Sequence, residues 1–118
     1  MRGATIVQGT RKAVKPKPTE PPPITRLLAR AEAWQRELEQ GVARSRAAIA
    51  AREGVSPMRV GSILALLRLH PDIQAWLRSL PPGTPPRKVT ERALRPIVRM
   101  AMAKQLDAVA RRWPAWGR

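Results

Sequence analysis

The most constraining stretch of this sequence is Ser45 to Leu67, where one helix is stopped and another started within three residues. Ser45 can cap a short helix over 46–53, because its hydroxyl accepts from a free N–H of the first turn. Gly54 closes that helix, since the left-handed conformation just past a last turn carries no Cβ penalty for glycine. Ser56 then caps again, and Pro57 takes the first helical position, where its missing N–H costs nothing. Helices joined this tightly must cross at close range, and Ala50 supplies the small residue that such a crossing needs. Val55 is expected to tuck the turn into the core. Ile49 on the first helix and Val60, Ile63, Leu64 and Leu67 on the second form the buried stripe. The second helix is expected to reach about Leu69. The unit is therefore read as a helix-turn-helix from Arg46 to Leu69, with Glu53 standing where an apolar residue is common.

The flanks are helical by the same reasoning. Leu27, Ala31, Trp34 and Leu38 recur at helical spacing between Thr25, the expected cap, and Gly41, the expected stop. His70-Pro71-Asp72 opens another helix, carrying Ile73, Trp76, Leu77 and Leu80. Pro81 to Lys88 holds four prolines and a glycine, which makes it a loop. Thr90-Glu91 begins a C-terminal helical region that Pro96 is expected to kink or restart after Arg95. It continues from Ile97 to Trp113, with Ile97, Met100, Ala101, Leu106, Val109 and Ala110 toward the core. Trp34 and Trp76 read as core anchors, while Trp113 and Trp116 either cover the core or form a partner surface. No stretch alternates with the period of a strand. The expected fold class is all-α, a compact multi-helix domain over 24–118. Residues 1–23 read instead as a disordered arm: Arg2, Arg11, Lys12, Lys15 and Lys17 face Glu20 alone, and Pro21-Pro22-Pro23 stiffens its end.

Charge narrows the function. The 118 residues carry 23 Lys and Arg against 8 Asp and Glu, a formal net charge of +15. An excess of that size favours a polyanionic partner, because it raises the local potential toward phosphate. Arginine predominates over lysine, which suits bidentate contact with phosphate or guanine. An Arg-rich coding bias accounts for part of the excess but not for the shortage of acids.

Against that surface, the helix-turn-helix offers a specific mode of contact. With its apolar stripe buried, the second helix shows Met58, Ser62 and Ala65 outward, flanked by Arg59 and Gly61. Short side chains near a helix N-terminus suit close approach to base edges in the major groove of duplex DNA. Ser62 is placed to hydrogen-bond a base, Met58 and Ala65 to touch a thymine methyl, and Arg59 to reach guanine or phosphate. Arg44, Ser45 and Arg46 at the start of the first helix, and Ser56 at the start of the second, are placed to grip phosphates, aided by the helix dipole. Lys12, Lys15 and Lys17 on the arm are further phosphate candidates.

The segment SRAAIAAREGVSPMRVGSILALLRLHPDIQAWL resembles the helix-turn-helix domain of the ParB and KorB partition and repressor proteins. In that family the recognition helix runs into a Leu-rich end and then a short helix of the "leucine-proline-x-x-[V/I]-Q" kind. Leu69-His70-Pro71-Asp72-Ile73-Gln74 corresponds, with His70 inserted between leucine and proline. In VTERALRPIV, Thr90, Ala93 and Arg95 stand in comparable places to the family's following helix. The likeness spans roughly residues 30 to 112, and the family's nucleotide-binding module has no counterpart. The chain is also similar to small stand-alone helix-turn-helix proteins of bacteria and their mobile elements. The resemblance implies sequence-selective DNA binding, as a transcriptional regulator or accessory factor, without nucleotide hydrolysis.

One helix-turn-helix grips one half-site, so a homodimer is the expected assembly. The competing reading is an RNA-binding or ribonucleoprotein assembly factor. Charge fits it equally well, and the lack of Phe and Tyr counts against it. A third is a protein-interaction adaptor using Trp113 and Trp116. Catalysis has little to rest on. Glu32, Glu37 and Glu39 lie among arginines on one amphipathic helix, and Asp72 and Glu91 are helix-start residues. There is no Gly-rich phosphate loop and no nucleophile beside a base. With no Cys and only His70, which begins a helix, no metal site is expected. Neither an enzyme activity, a cofactor nor a small-molecule substrate is expected. No apolar run approaches membrane-spanning length, and MRGATIVQGT lacks the apolar segment of a signal peptide, so the expected location is cytoplasmic, at the nucleoid.

Overall fold

The structure, a computed structural model, describes residues 20–117; Lys12, Lys15 and Lys17 lie outside the described residues. Within them the fold is all-helical. The elements are α1 (Pro23–Gln40), α2 (Arg46–Glu53), α3 (Pro57–Leu64), a 3-10 turn (Ala65–Arg68), α4 (Pro71–Arg78), α5 (Glu91–Val98) and α6 (Met102–Arg112).

Helix α1 is the spine, because it serves two cores. Its first half buries Ile24 and Leu28 with Leu66, Leu69, Ile73, Leu77, Leu94, Ile97 and Val109. Its second half buries Ala31 and Trp34 with Ile49, Ala50, Val60, Ile63 and Leu64, the residues that hold α2 and α3 together. Leu27 and Leu67 pack against both clusters. Each large side chain buried this way contributes about 1.5–3 kcal/mol, so the packing of α1, α2 and α3 is fixed chiefly by their apolar stripes. The helix starts at Pro23, not after a Thr25 cap. The Thr25 hydroxyl instead donates to the Leu77 carbonyl at 2.6 Å and, with the Arg78–Glu32 ion pair at 2.6 Å, fastens α1 to α4. Glu20 to Pro23 belong to the folded part and not to an arm, since Pro22 is fully buried and the Glu20 carbonyl accepts from the Gly83 N–H.

The second helix of the hairpin is shorter than its apolar pattern suggests. After Leu64 the backbone tightens into the 3-10 turn and becomes extended at Leu69, where the sequence reading continues a helix. Ile63, Leu66 and Leu69 are all buried, and a spacing of three residues is the repeat of a 3-10 turn. The carbonyls released by the change find side-chain donors. Gln74 Nε2 donates to Leu67 and Leu69, and Gln105 Nε2 donates to Arg68 and also to Met100 in the break before α6. Buried Gln105 also accepts from the His70 N–H at 2.6 Å. His70 caps α4: its Nδ1 accepts from the Asp72 N–H.

The C-terminal region departs from one continuous helix. Thr90 caps α5 as expected, and α5 passes through Pro96 to Val98 without restarting there. The break falls later, at Arg99 to Ala101. It resets the helical phase, which is why Met100, Ala101 and Ala110 are exposed while α6 buries Gln105 and Val109. Trp113 closes the first core. Its indole lies 5.5 Å from that of Trp76, and its Nε1 donates to the Lys88 carbonyl, which anchors the proline loop. Trp116 packs edge-on against Trp76 at 5.9 Å. Both C-terminal indoles thus have partners inside the chain.

Candidate nucleic-acid interface

The hairpin of α2 and α3 is capped and turned where its sequence punctuation predicts. Ser45 Oγ accepts from the Ala48 N–H at 3.1 Å, and Ser56 Oγ from the Arg59 N–H at 3.0 Å. Each hydroxyl keeps its own proton free to donate, so both serines can cap and still offer a hydrogen bond to a phosphate oxygen. Gly54 adopts φ 73° and ψ 28°, and its N–H and that of Val55 both point to the Ala50 carbonyl. Ala50 is buried at the crossing of α2 and α3, as the close approach requires. Val55 is exposed and does not enter the core; it is fixed by its backbone and not by its side chain. Glu53 is likewise exposed, so the polar residue before the turn is tolerated without loss of packing.

The face assigned to base contact is open. Met58 is 84% exposed, and Ser62 and Ala65 are half-buried beside it. Met58 therefore adds little apolar burial to the fold. Ser62 Oγ donates back to the Arg59 carbonyl at 3.0 Å. Arg44 and Arg46 are exposed, and the Arg46 guanidinium lies alongside α3, 3.6 Å from where a Cβ on Gly61 would stand. Arg52 differs from these two. Its hydrogen bond to Glu37, and then that to Glu53, push its already high pKa further up and leave it neutralised as a pair.

Arg59 is the assigned contact residue whose position departs most from expectation. Its guanidinium does not extend from the open face but turns toward α5, where Nη1 donates to both oxygens of Glu91 at 2.8 Å. Glu91, read from sequence as a helix-start residue only, is 14% exposed at its side chain and ties α3 to the first turn of α5. Between the two helices runs a groove of about 520 Å³, lined among others by Met58, Ser62, Ala65, Arg68, Arg95 and Arg99. Arg68 arrives on the 3-10 turn that follows α3, while Arg95 and Arg99 reach this face through the packing of α5 beside that turn.

Comparison of the chain with protein families, with curated proteins and with solved structures finds no match.

Proposed function

We propose that this protein binds duplex DNA with sequence preference, inserting the open face of α3 into the major groove. The observation that carries the reading is the exposure of Met58 beside Ser62 and Ala65, on a helix held from behind by Val60, Ile63 and Leu64. The residues behind are fixed, Ser62 and Ala65 in front are short, and the Ser56 hydroxyl that caps the helix keeps its own proton to donate. That combination suits entry into a groove about 12 Å wide. Arg44, Ser45 and Arg46 then grip the phosphate backbone next to it, and the chain acts as a homodimer on two half-sites. The likeness of residues 45–77 to the ParB and KorB helix-turn-helix supports the same reading, as a regulator or accessory factor at the nucleoid. Among the described residues no helix is long and apolar enough to cross a membrane.

Duplex DNA is favoured over single-stranded RNA by the placement of the indoles. Trp34 and Trp113 are buried, and Trp76 is packed between Trp113 and Trp116, so none stands out as a platform for an unstacked base. The test is a set of duplex titrations with single substitutions. Ser62→Ala and Met58→Ala should each change the preference among duplexes, with ~1–3 kcal/mol lost at the contacted base pair. Arg46→Ala should weaken binding to every duplex alike. Preferences that stay the same in both α3 variants would remove α3 as the reading element.

A further inference from the structure

A helix in the major groove is bordered by two phosphate backbones, so a protein that seats one there gains from cations on both sides of it. Successive residues of a helix are about 100° apart, which places Met58 and Ser62 about 40° apart at the centre of the open face of α3, with Ala65 following at the start of the 3-10 turn. Gly61 lies about 60° to one side of Met58 and Arg59 about 100° to the other. The Gly61 side carries Arg46. The Arg59 side opens into the groove toward α5, whose lining takes in Met58, Ser62 and Ala65 together with Arg68, Arg95 and Arg99.

We infer that the groove between α3 and α5 is a second phosphate-binding rim, which receives one sugar–phosphate strand of duplex DNA on Arg95 and Arg99. This inference rests on the DNA-binding reading above and extends it to the opposite strand. Charge complementarity carries it. Among the described residues Glu91 is the one acidic residue lining the groove, and Arg59 already holds both its oxygens. Arg95 keeps only a long contact to Glu91, at 3.7 Å, and Arg68 and Arg99 make no ion pair among the described residues. The Arg59–Glu91 pair therefore has a distinct part: it sets the spacing between the reading helix and the rim instead of touching the nucleic acid. Arg99 caps the C-terminal end of α5, where a cation also suits the helix dipole. A role confined to the dipole would change stability and leave the salt dependence of DNA binding unaltered.

The experiment measures the affinity of the full chain for one fixed DNA duplex across a series of salt concentrations. Neutralising both residues, as Arg95→Gln with Arg99→Gln, should lower the slope of log K against log salt by roughly 1.8, at about 0.9 for each phosphate that no longer meets a cation. Preference among duplexes should not change. The charge-preserving pair Arg95→Lys with Arg99→Lys should keep the slope, and it serves as the folded counterpart if the glutamine pair loses stability. Arg30→Gln with Arg36→Gln removes the same charge from the exposed side of α1 and should leave the slope near that of the unmodified chain. An unchanged slope in the glutamine pair at positions 95 and 99 overturns the rim, and so does an equal loss in the α1 pair. A slope that falls on an RNA duplex but not on DNA overturns it as well, naming RNA as the occupant. If the unmodified chain fails to bind duplex DNA at all, the parent reading falls together with the rim; binding with an intact slope removes the rim alone.

Discussion

Replacing Gln105 by leucine keeps the side-chain volume and removes the hydrogen-bonding group at the junction where the hairpin's second helix ends. Three bonds vanish. The His70 N–H loses its 2.6 Å acceptor, and the carbonyls of Arg68 and Met100 each lose a donor. An unsatisfied buried N–H costs about 1–3 kcal/mol, and each carbonyl deprived of a partner costs about 1 kcal/mol more. Burial of the leucine side chain offsets ~1–2 kcal/mol of this. The net loss should be about 2 kcal/mol, and for a domain of this size that lowers Tm by roughly 8–16 °C. Denaturant unfolding of the purified variant measures the loss, and hydrogen exchange at the His70 amide locates it. A loss under about 0.5 kcal/mol, with His70 exchange unaltered, would refute the reasoning. It would mean that the 3-10 turn is held by Leu66 and Leu69 alone and that the glutamine clamp is incidental.

Gly54→Ala should cost ~1–2 kcal/mol in unfolding free energy, because φ 73° strains an L side chain although nothing lies within 4 Å of the added Cβ. Gly54→Asn should cost less, and equal losses from the two would place the penalty elsewhere. Ser45→Ala and Ser56→Ala should each lower stability by about 1 kcal/mol through loss of a helix cap, read by denaturant unfolding. Only variants that also lose DNA affinity beyond this would mark the serine hydroxyls as phosphate donors. Glu91→Gln should free Arg59 and steepen the salt dependence of DNA binding by up to ~0.9. The part-exposed ion pair it breaks should cost on the order of 1 kcal/mol or less in stability. A shallower slope would show that Glu91 supports the interface instead of restraining it.

What could be read from the sequence was local. The caps at Ser45 and Ser56 and the stop at Gly54 each act over fewer than five residues, and so they specify the hairpin before any long-range contact is known. The buried stripe of Val60, Ile63 and Leu64 follows from helical period alone. The reading failed where tertiary contacts decide the outcome. The exit from the 3-10 turn is held by Gln74, which donates to Leu67 and Leu69, and by Gln105, which accepts from the His70 N–H 35 residues away. Thr25 looked like a cap because threonine often is one, but its hydroxyl is drawn to Leu77, 52 residues away. Arg59 looked free because its partner Glu91 lies 32 residues downstream on another helix. The same packing of α5 against the hairpin creates the groove with Arg95 and Arg99, for which spacing along the chain holds no hint.

Selection of bound molecules from a random duplex library, run in parallel with the unmodified chain and with Ser62→Ala and Met58→Ala, tests the central claim most directly. The unmodified chain should enrich a defined motif, with two inverted half-sites about one DNA turn apart for a dimer. Each substitution in α3 should relax or alter one position of that motif. An unenriched pool, or one motif common to all three proteins, would show that the outer face of α3 does not read bases.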